Sequence, residues 1–257
     1  MSIDFDLADG VAVITINRPE RLNAMDADHY RGLSEAWMRV RDDPEVRVAI
    51  VTGAGERSFT TGADLKSRVP QAADFAEFWL TQKGQILNRG LEVWKPVVAA
   101  VNGYCLGGGM TLLFSTDIRV AATHATFGLS EVKRGILPGN GGTQRVLDQL
   151  PWAIGMEMLL TGDPIDAETA LRWGLINKVV PGEQLMDAAL TYARRIAANA
   201  PLAVQAAKEM AVRARDMDIA SGLRAEQAMN RILSMTEDLK EGTAAFAEKR
   251  PARFKGR

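Results

Sequence analysis

A short apolar run followed by a glycine triplet constrains the fold of this chain more than any other stretch. The run, Val97–Val101, has the length and composition of a buried strand, and it ends at the turn-forming pair Asn102 and Gly103. Three glycines, residues 107–109, then open a stretch with helical propensity. Glycines let another group approach the backbone closely, and the first amides of a helix have no internal acceptor. The pattern predicts either a site for an anion or a developing oxyanion, or a tight helix contact.

Strand-like and helix-like stretches alternate along the chain, which favours an α/β fold. Asp9 and Gly10 precede a β-branched run and predict a hairpin, and Asp26 is placed to cap a helix. From Gly182 onward the sequence is almost continuously helical, which indicates a helical region packed on a neighbour. Strands are predicted at Val11–Ile16, 46–52, Val97–Val101, Ile118–Ala122 and 125–127, and helices after Asp26 and from about residue 78 to 94.

Composition and charge exclude several classes of protein. The formal net charge is −1, from 31 Lys and Arg against 32 Asp and Glu, so nucleic acid is not an expected partner. Cys105 is the single cysteine, which excludes an internal disulfide. His29 and His124 are the two histidines, too few beside one cysteine to predict a zinc or iron site. No export leader or membrane-length apolar run is present, which predicts a soluble cytoplasmic protein.

Three common catalytic motifs are absent from the sequence. There is no Gly-x-x-x-x-Gly-Lys-Ser/Thr loop for a triphosphate and no Gly-x-Gly-x-x-Gly after a strand for a dinucleotide. No Gly-x-Ser-x-Gly elbow occurs, and His124 has no nucleophile beside it, so a serine hydrolase is unsupported.

Several other motifs resemble the enoyl-CoA hydratase/isomerase (crotonase) superfamily over essentially the whole chain. The resemblance implies an α/β crotonase-type spiral of repeated ββα units, with a C-terminal helical trimerisation region. It predicts a core with the acyl-CoA site at residues 1–199, and helices at 200–257 that pack on the core or a neighbouring subunit of a homotrimer or hexamer. The matching motifs are Asn-Arg-Pro at 17–19, Leu-Asn-Ala-Met at 22–25, Ser-Phe-Thr-Thr-Gly-Ala-Asp-Leu-Lys at 58–66, Leu-Gly-Gly-Gly at 106–109, Pro-Gly-Asn-Gly-Gly-Thr-Gln-Arg at 138–145 and a closing signature at 241–250.

The resemblance also implies a set of site residues. Two backbone amides, those of Ala63 and Gly108, are expected to bind the thioester oxygen as it becomes an enolate. The substrate is an acyl-CoA, whose coenzyme A is part of the substrate, so no separate cofactor and no metal are expected. The residues expected to bind coenzyme A are Asp64, Leu65, Lys66, Phe246 and Lys249, the last two from a neighbouring subunit.

The catalytic side chains depart from the pattern of the family. Hydratases of this family carry two glutamates, and one of them is present as Glu131 in Phe-Gly-Leu-Ser-Glu. The other position holds Thr111, which can bind a water molecule but has too high a pKa to be a general base near neutral pH. A single carboxylate is sufficient for chemistry that moves one proton at the α-carbon.

Three functions remain open at this point. The first is a hydratase in which Thr111 orients water and Glu131 handles protons. The second is a one-glutamate relative, either an enoyl-CoA isomerase or a hydroxycinnamoyl-CoA hydratase-lyase, although residues 141–145 follow the ordinary hydratase pattern. The third is a non-catalytic acyl-CoA-binding protein. The acyl chain itself is not specified, since the expected wall around Phe75, Phe78 and Trp79 has no clear periodicity.

Overall fold

The computed structural model describes residues 2–66, 86–87 and 90–257, and it contains two sheets. The larger sheet has the strand order β1-β2-β3-β5-β7-β10, and the smaller has the order β4-β6-β8-β9. The strands are β1 Ile3–Ala8, β2 Val11–Ile16, β3 Val48–Gly53, β4 Ser58–Thr60, β5 Val97–Val101, β6 Tyr104–Leu106, β7 Ile118–Ala122, β8 Thr126–Gly128, β9 Ile165–Asp166 and β10 Lys178–Val180.

The predicted hairpin and the first predicted helix are confirmed. Asp9 and Gly10 both have positive φ, 51° and 77°, which suits a two-residue turn between antiparallel strands. Asp26 caps the first helix by accepting hydrogen bonds from the amides of Asp28 and His29. The α-helices in the described part of the chain are α1 Ala27–Asp42, α2 Gly108–Leu113, α3 Gly142–Gln149, α4 Trp152–Thr161, α5 Ala167–Arg172, α6 Leu185–Ala197, α7 Pro201–Arg213, α8 Ile219–Leu233 and α9 Glu237–Glu248.

The two sheets are built together as the chain winds. The strands β3, β5 and β7 lie parallel in the larger sheet, and the strand after each of them, β4, β6 and β8, lies parallel in the smaller one. Helix α2 follows β6, and α3 follows β8 after a short turn at Glu131–Arg134. This repetition is the ββα spiral that the sequence predicts.

The larger sheet is covered on both faces, which explains why its central strands read as unbroken apolar runs. Every residue of β3 is buried. Val48 and Ile50 pack in one cluster with α6, through Leu185 and Ala189 among others. The alternate residues of β3 belong to the main core, together with Trp37 of α1. Helix α6 is therefore part of the sheet's own packing, although the sequence places it at the start of the helical last quarter.

The helix predicted from about residue 78 to 94 is wrong where it can be checked. Residues 91–95 contain no helix, and burial alternates there, with Leu91 and Val93 buried and Glu92 exposed, as in an extended chain. Pro96 also disfavours helical geometry in the residue before it. Most of the remaining predicted helix lies outside the described residues, as do Phe75, Phe78 and Trp79 of the predicted wall.

The helices α7 to α9 continue the chain, and its end folds back onto the core. Arg47 donates from Nη1 to the carbonyl of Ala197 at 2.9 Å and from Nη2 to that of Phe254 at 2.8 Å. Asp238 accepts from the amides of Lys255 and Gly256. Within the described residues, no helix has the length and apolar character needed to cross a membrane.

Candidate active site

Two backbone segments meet at the start of α2. Ala63 pairs with Met25 in a parallel bridge, in which the Met25 amide donates to the Gly62 carbonyl and the Asp64 amide donates to the Met25 carbonyl. This pairing uses the peptide groups on either side of Ala63, so the Ala63 N–H faces away from Met25. Gly108 is the first residue of α2, and its N–H has no acceptor within the helix.

Glycine is required where these segments touch. Gly62 has φ +83°, and a Cβ on it would lie 2.5 Å from the nitrogen of Gly108. A Cβ on Gly109 would lie 2.4 Å from the carbonyl oxygen of Thr60. A Cβ built on Gly108 would lie 3.5 Å from the nitrogen of Ala63, so the two amides border the same small volume. The approach predicted from the glycine triplet is a contact of bare backbone with bare backbone.

Glu131 lies next to this junction. It follows β8 at the start of the turn Glu131–Arg134, and its Oε1 would be 3.3 Å from a Cβ on Gly107. Its Oε2 is buried and has no hydrogen-bond partner in the part of the chain that the structure describes. Burial raises the pKa of Glu131 above the ordinary glutamate value, against the opposing effects of its own backbone amide and of Arg134. The site thus holds a half-buried carboxyl group with a raised pKa, as is suitable for an acid or base.

Thr111 is buried one turn into α2. Its hydroxyl donates to the carbonyl of Gly108 at 3.0 Å. Its methyl group packs towards α3, where a Cβ on Gly142 would lie 3.1 Å from it. Because the hydroxyl proton is engaged by Gly108, the oxygen presents acceptor lone pairs to any further partner.

A small pocket opens beside Gly108 and Thr111. Its described lining is mostly apolar and contains no carboxylate, which leaves Glu131 as the nearby acidic group. The lining residues are Met25, Tyr30, Leu33, Ile86, Gly108, Thr111, Leu112 and Asn140.

Comparison with known proteins agrees with this geometry. The family model for enoyl-CoA hydratase/isomerase matches residues 6–257. The chain belongs to the enoyl-CoA hydratase/isomerase family. It is 44% identical over 256 residues to the (E)-benzylidenesuccinyl-CoA hydratase of Thauera aromatica, covering 100% of both chains. It is 42% identical over 252 residues to a carnitinyl-CoA dehydratase of Proteus mirabilis, covering 96% of this chain and 95% of the relative.

Solved structures of the family share the fold. The enoyl-CoA hydratase of Bacillus anthracis superposes with a TM-score of 0.92 at 34% identity, covering 100% of both chains. The enoyl-CoA hydratase of Mycobacterium tuberculosis superposes with a TM-score of 0.90 at 37% identity, covering 100% of this chain and 99% of the other. The protein is therefore an enzyme of the enoyl-CoA hydratase type, a carbon–oxygen lyase that acts on acyl-CoA thioesters.

The residues that the family resemblance assigns to coenzyme A fall into two groups. Asp64, Leu65 and Lys66 directly follow Ala63, and Leu65 and Lys66 are exposed. Asp64 accepts a hydrogen bond from Nη1 of Arg18 at 3.0 Å. Its other oxygen accepts from the amide of Lys66 at 3.0 Å. Asp64 therefore shapes the loop that carries Ala63.

The second group lies at the end of the chain. Phe246 is 88% exposed on α9, and Lys249 ends that helix in the left-handed conformation. No contact among the described residues joins either side chain to Ala63, Gly108, or Glu131. A single chain thus brings together the amides, Thr111 and Glu131, and leaves Phe246 and Lys249 facing solvent.

Sequence reasoning did not identify two polar residues that line the pocket. Tyr30 lies on α1, and its hydroxyl oxygen would be 3.3 Å from a Cβ on Gly108. Asn140 lies within the family motif at 138–145, to which the sequence analysis assigns no role for Asn140. The apolar periodicity of α1 predicts the buried face of the helix, which carries Leu33, and Tyr30 lies at the edge of that face. A tyrosine at position 30 or an asparagine at position 140 does not by itself predict a residue of the pocket.

Proposed function

We propose that this enzyme adds water to, or removes water from, the 2,3 position of an acyl-CoA thioester with Glu131 as its catalytic carboxylate. The observation that supports this is the buried carboxyl of Glu131 beside Gly107, where the amides of Ala63 and Gly108 border one volume. No carboxylate lines the described part of the pocket itself, so Glu131 beside Gly107 is the carboxylate that the proposal uses.

In hydration, the oxygen of a water molecule bonds to C3, and the π electrons move through C2 to the thioester oxygen. The amides of Ala63 and Gly108 stabilise the resulting enolate, and one such donor is worth about 3 kcal/mol in the transition state. Glu131 takes one proton from the water and delivers it to C2, so it ends the cycle as it began. Dehydration follows the same steps in reverse.

The environment of Glu131 suits both halves of this proton transfer. Burial raises its pKa towards neutral pH, and a carboxyl group with a higher pKa is a stronger base for water and can still return the proton to C2. Thr111 accepts a hydrogen bond from the same water, since its own proton is held by Gly108. The chemistry requires no cofactor beyond the coenzyme A of the substrate.

The acyl group is the least specified part of the proposal. The two named relatives act on different acyl groups, a benzylidenesuccinyl and a carnitinyl group, so family likeness does not choose between them. Met25, Leu33 and Leu112 give the pocket an apolar lining, which favours an apolar portion next to the reacting carbons.

We extend the proposal to assembly and location. Residues 200–257 would complete a trimer or hexamer, with Phe246 and Lys249 reaching the coenzyme A site of a neighbour in the cytoplasm. Ile219 at 79% and Leu223 at 51% exposure lie one turn apart on α8, and Phe246 on α9 is 88% exposed. The pair on α8 supports this, because adjoining exposed apolar side chains mark contact surfaces. Light scattering that showed a monomer with full affinity for CoA thioesters would contradict it.

The deciding experiment offers purified enzyme a panel of enoyl-CoA thioesters in ¹⁸O-labelled water and resolves the products by mass and position. The expected product carries ¹⁸O at C3. A shifted double bond without label would indicate an isomerase, and a shortened acyl chain would indicate a hydratase-lyase. Binding of the thioesters without any product would indicate a non-catalytic binding protein.

A further inference from the structure

Asn140 lies at the edge of the active-site pocket in an unusual backbone conformation. It lines the pocket together with Gly108 and Thr111, on the loop between the turn at Glu131–Arg134 and helix α3. Its φ is +52°, in the left-handed region. Asparagine tolerates that region better than most residues, but glycine occupies it with less strain. The turn therefore tolerates an amide side chain at this position but does not require one.

The backbone of Asn140 is fixed from two sides. Its carbonyl accepts from Nη1 of Arg145 at 3.1 Å, and the same nitrogen donates to Oγ of Ser115, just after α2, at 3.2 Å. The amide of Gly142 donates to the carbonyl of Gly139 at 3.0 Å, which closes the turn around Asn140. These bonds hold the loop on α2 and leave the side-chain amide of Asn140 without any part in them.

That amide has no hydrogen bond to any residue in the described part of the chain. An amide offers two N–H donors and one oxygen acceptor. Because the residue is half-buried and lines the pocket, these groups are available to whatever enters it.

The two side chains that the proposed function assigns to the water, Glu131 and Thr111, are acceptors towards it. The hydroxyl proton of Thr111 is engaged by the Gly108 carbonyl, and ionised Glu131 has only lone pairs to offer. A water that attacks C3 gives one proton to Glu131 and can give its other hydrogen bond to Thr111. Its second lone pair then needs a donor, and neither of those side chains supplies one.

We propose that Nδ2–H of Asn140 donates a hydrogen bond to the oxygen that adds to or leaves C3, and so orients it. This role rests on the proposed hydration. It is a positioning contact to the reacting oxygen, since a neutral amide neither takes nor gives a proton. In dehydration the same donor stabilises the charge that develops on the departing oxygen.

Two substitutions of Asn140 separate this contact from the shape of the loop. Asn140→Asp keeps the size and one acceptor but removes the donor. Asn140→Gly fits the left-handed conformation and removes the side chain. Gly139→Ala is the matched control in the same turn, because a Cβ there would meet nothing within 4 Å.

Two assays read each variant. One is hydration of an enoyl-CoA. The other is exchange of the α-protons of butyryl-CoA in D₂O, which uses Glu131 and the two amides but no oxygen at C3. We expect both Asn140 variants to lose about 10- to 100-fold in kcat for hydration, as for other oriented donors. Their exchange rates should stay within about twofold of wild type, and Gly139→Ala should match wild type in both assays.

Unchanged hydration in Asn140→Asp would overturn the proposal. An equal loss of hydration and exchange in both variants would also overturn it, since that result indicates a structural role. A wild-type enzyme that exchanges α-protons but incorporates no ¹⁸O would refute the proposed function itself, and the role of Asn140 with it. That outcome is measured on the wild-type enzyme alone, so a failure of the proposed function can be distinguished from a failure of the proposed role of Asn140.

Discussion

The active site has two walls that are built in opposite ways. One wall is backbone, where Gly62, Ala63 and Gly108 meet with almost no side chain between them. The other wall is made of side chains, Glu131 and Thr111, carried by a turn and a helix. A Cβ on Gly62 would lie 2.5 Å from a neighbouring nitrogen, whereas Thr111 stands where the family resemblance leads us to expect a glutamate.

The difference between the two walls corresponds to two parts of the chemistry, stabilisation of the enolate oxygen and the handling of water and protons. Every reaction through a thioester enolate needs its oxygen stabilised, and two backbone amides can do that whatever residues surround them. The handling of water and protons depends on side chains, which can change without moving the backbone. The backbone wall is therefore the feature that identifies the family, and the side-chain wall is the feature that determines which reaction is catalysed. The following substitutions test that division.

The largest effect should come from Glu131→Gln. This change keeps the size of the side chain and its hydrogen bonding but removes the titrating proton. We expect turnover to fall by about 10³- to 10⁴-fold, at the upper end for a general acid–base residue. Binding of a CoA thioester, measured by calorimetry, should be unchanged. Turnover within tenfold of wild type would remove Glu131 from the mechanism.

Gly108→Pro tests the backbone wall directly, because proline has no N–H. We expect turnover to fall by about 10²- to 10³-fold, the effect of losing one oxyanion donor. Circular dichroism and thermal unfolding must show that the variant is folded, since α2 begins at this residue. A folded variant with wild-type turnover would show that the Gly108 amide is not used.

Arg18→Ala tests whether a side chain supports the backbone wall. Nη1 of Arg18 donates to Asp64 at 3.0 Å and to the carbonyl of Ala24 at 3.2 Å, which ties the loop of Ala63 to the segment before α1. We expect kcat to fall about tenfold, which corresponds to about 1.4 kcal/mol, with partial recovery in Arg18→Lys. Arg31→Ala is the control, since its ion pair with Asp28 is exposed.

A kcat for Arg18→Ala equal to that of the Arg31→Ala control would contradict the coupling. So would a loss of the same size in Arg18→Lys, because lysine retains the charge and one donor towards Asp64.

The sequence predicts the backbone wall better than the side-chain wall, for a physical reason. Glycine at residues 107–109 and the small residues around Ala63 are visible in the sequence because close backbone contact allows few alternatives. β-Branched runs such as Val11–Ile16 are visible because both faces of their sheet are buried. The strand predicted at 46–52 is confirmed as Val48–Gly53, shifted by one or two residues at each end.

The contributions of Tyr30 and Asn140 could not be predicted in this way. Tyr30 reaches the start of α2 because α1 lies next to that helix in the fold. Asn140 reaches the pocket because Arg145 holds its loop. Both depend on contacts between segments far apart in sequence. The raised pKa of Glu131 likewise follows from its burial, which no local pattern encodes.

Thr111→Glu tests the side-chain wall by restoring a second carboxylate. Two carboxyl groups close together raise the pKa of one of them, which gives the split acid and base roles that hydration uses. The methyl of Thr111 already packs towards Gly142, so the longer side chain must extend into the pocket. We expect kcat for crotonyl-CoA to rise several-fold, up to about tenfold, in a steady-state assay. Thr111→Gln has the same size without the charge and should show no gain.

An equal gain in Thr111→Gln would show that the shape of the side chain matters more than its charge. Wild-type hydration of crotonyl-CoA at tens per second or more, within the ordinary enzyme range of about 1 to 1,000 per second, would show that Thr111 suffices.

The smallest expected effect is on stability, and it has the opposite sign to the effect on activity. Burial raises the pKa of Glu131, so folding favours its protonated form and the charged form becomes a cost as pH rises through the folded pKa. Glu131→Gln removes that cost. Near pH 7 we expect its free energy of unfolding in urea to exceed that of wild type by less than about 1 kcal/mol, because the carboxyl group is only half-buried and solvent screens its charge. The excess should vanish as pH falls below the ordinary glutamate pKa of 4.5.

Glu183→Gln, at an exposed position, should match wild type throughout. A loss of stability in Glu131→Gln at pH 7 would mean that the carboxylate is held by contacts that outweigh its burial, and the side-chain wall would then be structural as well as chemical.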